Sequence, residues 1–178
     1  LGKRENLINE NVWAPLWITD FPLVGWNEDE KRWDALHHPF TSPNLQDMDK
    51  LDTDPGNVRS LGYDIVMNGY ELGGGSIRIH DKGLQSKIFT LLGIEDKEAQ
   101  EKFGFLMDAF RYGAPPHGGM AFGFDRIVML LANSSQIRDV IAFPKTTSAL
   151  SLMDQSPSPV SPKQLQELHL SIIKEKEE

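Results

Sequence analysis

The dipeptide Asn68-Gly69, set between β-branched and aromatic flanks, constrains this chain more than any other short stretch. Asn-Gly between two extended runs favours a two-residue type I′ turn, because both central positions need positive φ. Such a turn dictates the register of its hairpin. Met67 pairs with Tyr70, Val66 with Glu71 and, carried on, Asp64 with Gly73. Paired residues share a face, so Asp64, Val66, Glu71 and Gly73 stand together, with the two acids as diagonal neighbours within side-chain reach. Two carboxylates on one face repel each other unless a cation lies between them. Hard oxygen ligands in that arrangement suit Mg²⁺ held partly through a phosphate. Two solvated acids on an exposed sheet face are the competing reading.

The run Gly73-Gly74-Gly75 then creates a conflict. Strict alternation would put Ile77 and Ile79 on the face of Glu71 and turn Ser76, Arg78 and His80 away. One extra residue, a β-bulge in the glycine run, reverses this and sends the isoleucines to the core. A bulge is therefore predicted there.

A second stretch, 115–126, reads Pro-Pro-His-Gly-Gly-Met-Ala-Phe-Gly-Phe-Asp-Arg. With a period of two, Gly119, Ala121 and Gly123 fall on one face and Met120, Phe122 and Phe124 on the other. The large side chains are expected to anchor a core, and the bare face to let a flat molecule lie against the backbone. The period then turns helical, with Asp125 and Arg126 in the first turn and Ile127, Leu130 and Leu131 as the buried stripe. A helix N-terminus favours anions, and Arg126 adds a planar cation for a ring or a phosphate. This platform suits a nucleotide. A glycine-rich strand packed beneath another element is the plainer alternative.

Elsewhere, an aromatic run from Trp13, a charged turn at 27–32 and a return over 33–36 predict a hairpin. All four tryptophans lie within 13–33, so this hairpin is expected to be a heavy core contributor. Pro39 makes His38 extended, and neighbours in an extended chain point apart, so at most one of His37 and His38 is expected to enter a given cleft. Residues 44–62, rich in Asp, Asn, Pro and Gly, read as an irregular surface excursion and a candidate lid. Asp81 caps a helix to about Leu92, with Leu84, Ile88 and Leu91 on one face and Gly93 as its stop. A second helix, about 97–112, buries Phe103, Leu106, Met107 and Phe110 before Gly113. A short strand at 140–143, a Ser/Pro-rich stretch at 151–162 and a last helix follow. Ser161 caps that helix, Pro162 opens it, and Leu165, Leu168 and Ile172 lie along it before a charged tail.

Composition narrows the function classes. The length of 178 residues fits one domain. There is no cysteine, hence no disulfide and no thiolate metal site. No apolar run approaches the roughly 20 residues of a membrane span. A net charge of -8 speaks against nucleic-acid binding over the whole surface. The chain opens on Leu1 rather than methionine and reads as a segment of something longer.

The run 114–131 resembles motif 3 of class II aminoacyl-tRNA synthetases. Four more segments, 13–21, 36–43, 63–80 and 137–147, agree in order, and the aspartate-specific bacterial type is closer than the lysine or asparagine types. The resemblance implies an α+β fold, an antiparallel β-sheet flanked by helices that forms part of the class II catalytic core. Residues 1–12 would be the end of an insertion region, and 13–178 the C-terminal part of the catalytic domain.

It further implies that Arg126 stacks on adenine and reaches the γ-phosphate, with Glu71, Gly123, Phe124 and Asp125 also lining ATP. Asp64 and Glu71 would bind Mg²⁺, Arg78 the side-chain carboxylate of L-aspartate, and His37, with His38, would lie near that substrate. Arg126, Arg78 and Glu71 form the implied catalytic set. Arg78 also makes sense on its own, because a bidentate arginine selects a carboxylate over its amide.

The implied reaction is formation of aspartyl-adenylate and transfer to tRNA(Asp), in a cytoplasmic (or organellar) protein whose full-length form is a homodimer. Attack by the substrate's own carboxylate fits the absence of any Ser/His/Asp or Cys/His constellation. Motif 1, motif 2 and an anticodon-binding barrel have no counterpart in the chain, so the segment alone is expected to be inactive. A tRNA-independent amidating ligase and a non-catalytic binding module on the same fold remain rival readings.

Overall fold

The structure, a computed structural model, describes residues 2, 4, 5, 7–9 and 12–173. Its strands are β1 (Pro15–Thr19), β2 (Val24–Asn27), β3 (Arg32–Ala35), β4 (Gly62–Met67), β5 (Tyr70–Ile77) and β6 (Gly118–Phe122). Its α-helices are α1 (Lys82–Leu91), α2 (Asp96–Phe110), α3 (Phe124–Leu131) and α4 (Pro162–Glu167). The chain divides into two compact units, residues 1–127 and 128–178. The expected end of an insertion region, 1–12, lies partly outside the described residues.

The first unit is built on an antiparallel sheet in the order β1-β4-β5-β6, with β2 and β3 as a separate two-stranded ribbon. The charged turn is where it was expected, with Asn27 accepting from the backbone N–H groups of Asp29 and Glu30. The aromatic run, however, does not continue as one strand. Asp20 takes a left-handed φ of 59°, Pro22 follows, and the chain turns out of one sheet into the other. As a result β1 pairs with β4, not with β3.

This corrects the expected role of the tryptophans. Trp13, Trp17 and Trp26 are exposed, and only Trp33 packs against the core. For Trp17 the reason is position: every residue of β1, an edge strand of the sheet, is exposed.

The core instead joins Leu23, Val24, Leu51, Val58, Ile79, Ile88 and Leu92. A second cluster gathers Phe89, Ala99 and Met107, with Phe40 and Phe103 against it. Two of these residues, Leu51 and Val58, come from the stretch read as a lid. That expectation is overturned. Residues 45–51 and 55–57 form 3₁₀ helices, Val58 is fully buried, and the side chain of Asp47 is buried. Asp47 accepts from the backbone N–H and the Nε of Arg59 at 3.1 and 2.7 Å and from Lys50 at 2.8 Å. The polar composition supplies caps and anchors. Burying a large aliphatic side chain is worth roughly 1.5–3 kcal/mol, so swinging the segment out would cost several kcal/mol.

Helix α1 starts as expected, with the Asp81 carboxylate accepting from Leu84 N–H at 2.7 Å, and Gly93 stops it at φ 74°. Its inward stripe is Gln85, Ile88 and Phe89. Helix α2 buries Ala99, Gly104 and Met107, half-buries Phe103, Leu106 and Phe110, and ends before Gly113 at φ 88°.

In the second unit the expected strand at 140–143 is absent. Residues 137–140 form a 3₁₀ turn and Phe143 takes a φ of 53°, which breaks extension. Helix α4 has the expected cap: Ser161 Oγ accepts from Gln164 N–H at 3.3 Å, and Gln164 Oε1 from Ser161 N–H at 3.1 Å. It ends at Glu167, so Ile172 lies beyond it and is exposed. The charged tail, 174–178, lies outside the described residues. Among the described residues no helix is long and apolar enough to cross a membrane.

Candidate active site

The site grows from the β4–β5 hairpin. Asn68 and Gly69 take φ values of 51° and 85°, and Met67 faces Tyr70 and Val66 faces Glu71, as the turn requires. The bulge is present, but one residue earlier than expected. Leu72 is the extra residue, so Ile65 pairs with Gly73 and Asp64 with Gly74, not Gly73. Leu72 is buried. A side chain that gains by turning inward makes it the better place for the ladder to slip than a glycine, which has nothing to bury.

The consequence holds all the same. Asp64, Val66, Glu71, Gly74, Ser76 and Arg78 fall on one face. Ile79 goes to the core as expected, whereas Ile77 is 40% exposed. Ile77 lies over Gly118 instead, where a Cβ would meet its Cδ1 at 2.9 Å. His80 lies past the end of β5.

Strand β6 joins β5 with Gly119 opposite Ser76 and Ala121 opposite Gly74, so the bare face is turned the way of Asp64 and Arg78. A side chain at Gly75 would run into the Gly119 carbonyl, and the glycine lets the strands approach. The large face does not anchor a core. Phe122 and Phe124 are 58% and 74% exposed, and Met120 is half-buried. Across β5, Phe122 and Met120 meet Gly73 and Gly75, which have no side chain to pack against. In α3, Asp125 and Arg126 occupy the first turn as expected, but Met129 is buried and Leu131 exposed.

These elements enclose a cavity of about 540 Å³ with two chemically distinct ends. At one end stand Arg78, His37, His38, Thr41 and Ser76. Arg78 Nη1 lies against both ring nitrogens of His38, 3.0 Å from Nδ1, and Phe40 N–H donates to Nδ1 at 3.2 Å. Burial lowers the pKa of His38, and the positive charges of Arg78 and His37 lower it further, so the ring is held neutral as an acceptor. Beneath it, buried Thr41 donates to buried Ser76 at 3.3 Å. At the other end Arg126 Nη1 donates to the Glu71 carbonyl at 2.7 Å and lies 3.8 Å from Glu71 Oε1.

Seven of the anticipated residues line this one cavity, His37, His38, Asp64, Glu71, Arg78, Gly123 and Arg126, and Gly74 replaces Gly73 as the partner of Asp64. Both histidines reach it, contrary to expectation. A bend at Leu36 and His37 ends the extended run that would have turned them apart, and His37 packs edge-on against Phe21 at 4.7 Å. Phe124 and Asp125 are not in the lining; Phe122 and Ala121 are. Thr41 escaped sequence reasoning, because nothing local marks a hydroxyl that becomes buried through a bridge to Arg78. Ser76 had a signal, its i, i+2 relation to Arg78.

The donor set fits magnesium in a specific sense. Asp64 and Glu71 are two hard oxygen donors on one face, and among the described residues no group of three or more His, Cys, Asp or Glu could hold a metal. Two carboxylates leave most positions of an octahedral ion to water and substrate phosphate.

Residues 3–147 match the family described as tRNA synthetases class II (D, K and N). The chain belongs to that family. It is 62% identical over 172 residues to the aspartate–tRNA ligase of Staphylococcus carnosus and 57% identical over 172 residues to the aspartate–tRNA(Asp/Asn) ligase of Caldanaerobacter subterraneus. These alignments cover 97% of this chain and 29% of either relative, so the chain spans less than a third of their length. Among solved structures, an aspartyl-tRNA synthetase from Entamoeba histolytica aligns with a TM-score of 0.57 and 26% identity, over 77% of this chain and 23% of its own. The class II antiparallel sheet with flanking helices is thus the fold of this chain. The two ligase names share the amino acid and differ in the tRNA.

Proposed function

We propose that this chain is the C-terminal part of the catalytic domain of an aspartate–tRNA ligase, in which ATP activates L-aspartate before transfer to tRNA(Asp). One observation carries the reading: a single cavity holds Arg78 at one end and Arg126 with Glu71 at the other, and Asp64 lies on the same face. Arg78 grips the side-chain carboxylate, and an amide would set donors against its donors. Arg126 offers its plane to adenine and its charge to the γ-phosphate over the bare face of Gly119, Ala121 and Gly123. Asp64 and Glu71 would hold Mg²⁺, which neutralises phosphate charge when bound.

The α-carboxylate of aspartate forms a bond to the α-phosphorus as the bond to pyrophosphate breaks. No side-chain nucleophile is needed. The chain's residues act by in-line placement and charge. The names of the relatives favour this reading over an amidating ligase. In the intact protein the partners are tRNA(Asp) and a second subunit, and the working compartment is the cytoplasm.

The test is aspartate-dependent ATP–pyrophosphate exchange by the intact protein that carries this sequence. Arg78→Leu is expected to lower kcat/KM for aspartate at least about 100-fold, roughly 3 kcal/mol, with folding retained. An unchanged rate would overturn the assignment.

A further inference from the structure

Gln85 is out of place by the logic of its helix. It sits on the inward stripe of α1 beside Ile88 and Phe89 and is fully buried. No donor among the described residues reaches its Oε1. A buried, unpaired amide oxygen is costly, and a leucine or methionine would fill the same volume without that cost. What the amide does make is one bond, from Nε2 to the Pro39 carbonyl at 2.8 Å. Pro39 follows His38 directly and joins it to the anchored part of the loop.

The next carbonyl, that of Phe40, accepts from Ile79 N–H at 2.9 Å, and the Phe40 ring packs edge-on against Phe89 of α1 at 6.1 Å. The loop is therefore fixed on its far side by the chain just past β5 and by α1. On the near side, His38 is pressed against Arg78. Gln85 is the only polar side chain among the buried residues of α1, and its bond is to the carbonyl of the residue that follows the histidine.

We propose that Gln85 is a positioning residue for the amino-acid end of the site, holding His38 against Arg78 through the Pro39 carbonyl. The inference rests on the reading of Arg78 as the receiver of the aspartate side chain. Gln85 touches no substrate. It sets where the imidazole stands, and the imidazole sets the angle at which the guanidinium faces a carboxylate. Displacements well under 1 Å matter for a two-pronged contact of this kind.

The experiment is pyrophosphate exchange by the intact protein, comparing parent, Gln85→Met and Gln85→Leu, with melting temperatures alongside. Expected is a rise of roughly 10-fold in KM for aspartate in both variants, with KM for ATP within about twofold of the parent and a melting temperature equal to or above it. A merely structural glutamine would predict a lower melting temperature and no split between the two KM values. That pattern, or an unchanged KM for aspartate, overturns the positioning role and leaves the functional reading intact. A parent without aspartate-dependent exchange overturns both.

Discussion

Arg78 and His38 form a contact that is unfavourable if both are charged, and the fold resolves it by keeping the imidazole neutral. Burial and the neighbouring guanidinium set the pKa of His38 below the ordinary 6.5. The sign of the linkage follows. Between 6.5 and the lower folded value, the unfolded chain binds the proton and the folded chain does not, so acidification favours unfolding. The unliganded protein should therefore lose stability as pH falls below about 6.5 and His38→Gln should flatten that limb, because an amide accepts from Arg78 without titrating. Melting temperatures of the two proteins between pH 7 and pH 5 measure this. Parallel curves would show that His38 is not the group responsible. At this scale the sequence was most readable where chemistry is rare. Asp64, Glu71, Arg78 and Arg126 stand out as charges on predicted strands and a helix start, whereas Thr41 and Gln85 acquire their meaning only through tertiary contact.

The β4–β5–β6 segment shows what short-range signals can and cannot specify. Asn68-Gly69 set the turn and the first two pairs, and the need to bring Arg78 round to Glu71 demanded a bulge. Its placement depended on the gain from burying Leu72, a tertiary quantity. The aromatic run 13–26 failed for the same reason, because strand propensity says nothing about which sheet a strand joins or whether it becomes an edge. Two glycines now make opposite predictions. In Gly75→Ala the new methyl meets backbone, the Gly119 carbonyl, and the strands must part; a loss of about 1–3 kcal/mol or more is expected in a denaturant titration. In Gly74→Ala it meets the Asp64 carboxylate, which can rotate away. That variant should stay folded but need more Mg²⁺ for half-maximal exchange. The 45–58 segment supplies a third test. The hydrogen bond from Arg59 holds the Asp47 carboxyl far below the usual carboxylate range, an effect present at neutral pH and lost only in strong acid. Asp47→Asn should lower the melting temperature at pH 7, and the difference from the parent should narrow at strongly acid pH. A variant as stable as the parent would return the segment to the status of a lid.

At the scale of the whole molecule, the Arg78 end of the cavity is better furnished than the Arg126 end. Arg78 is backed by His38, Thr41 and Ser76, with buried hydroxyls beneath it. Arg126 is exposed, its nearest acid is Glu71, and the apolar side chains beside it, Phe122 and Phe124, are mostly in water. On the proposed reading, a triphosphate would bring several negative charges into a site whose lining already holds Asp64 and Glu71. Once Arg78 is engaged by the substrate, Arg126 is the one remaining arginine or lysine of that lining. On the proposed reading, one arginine and the magnesium that Asp64 and Glu71 would hold leave part of the triphosphate charge uncompensated. The net charge of -8 adds no compensating field. A further cationic group would have to reach the α-phosphate from outside this lining. The purified chain is accordingly expected to give no aspartate-dependent ATP–pyrophosphate exchange above background. The intact protein, at the same aspartate, ATP and Mg²⁺ concentrations, is expected to give a rate that Arg126→Ala abolishes. Robust exchange by the 178-residue chain alone would mean that Arg126 and the metal suffice, and the account of the nucleotide end would have to be abandoned.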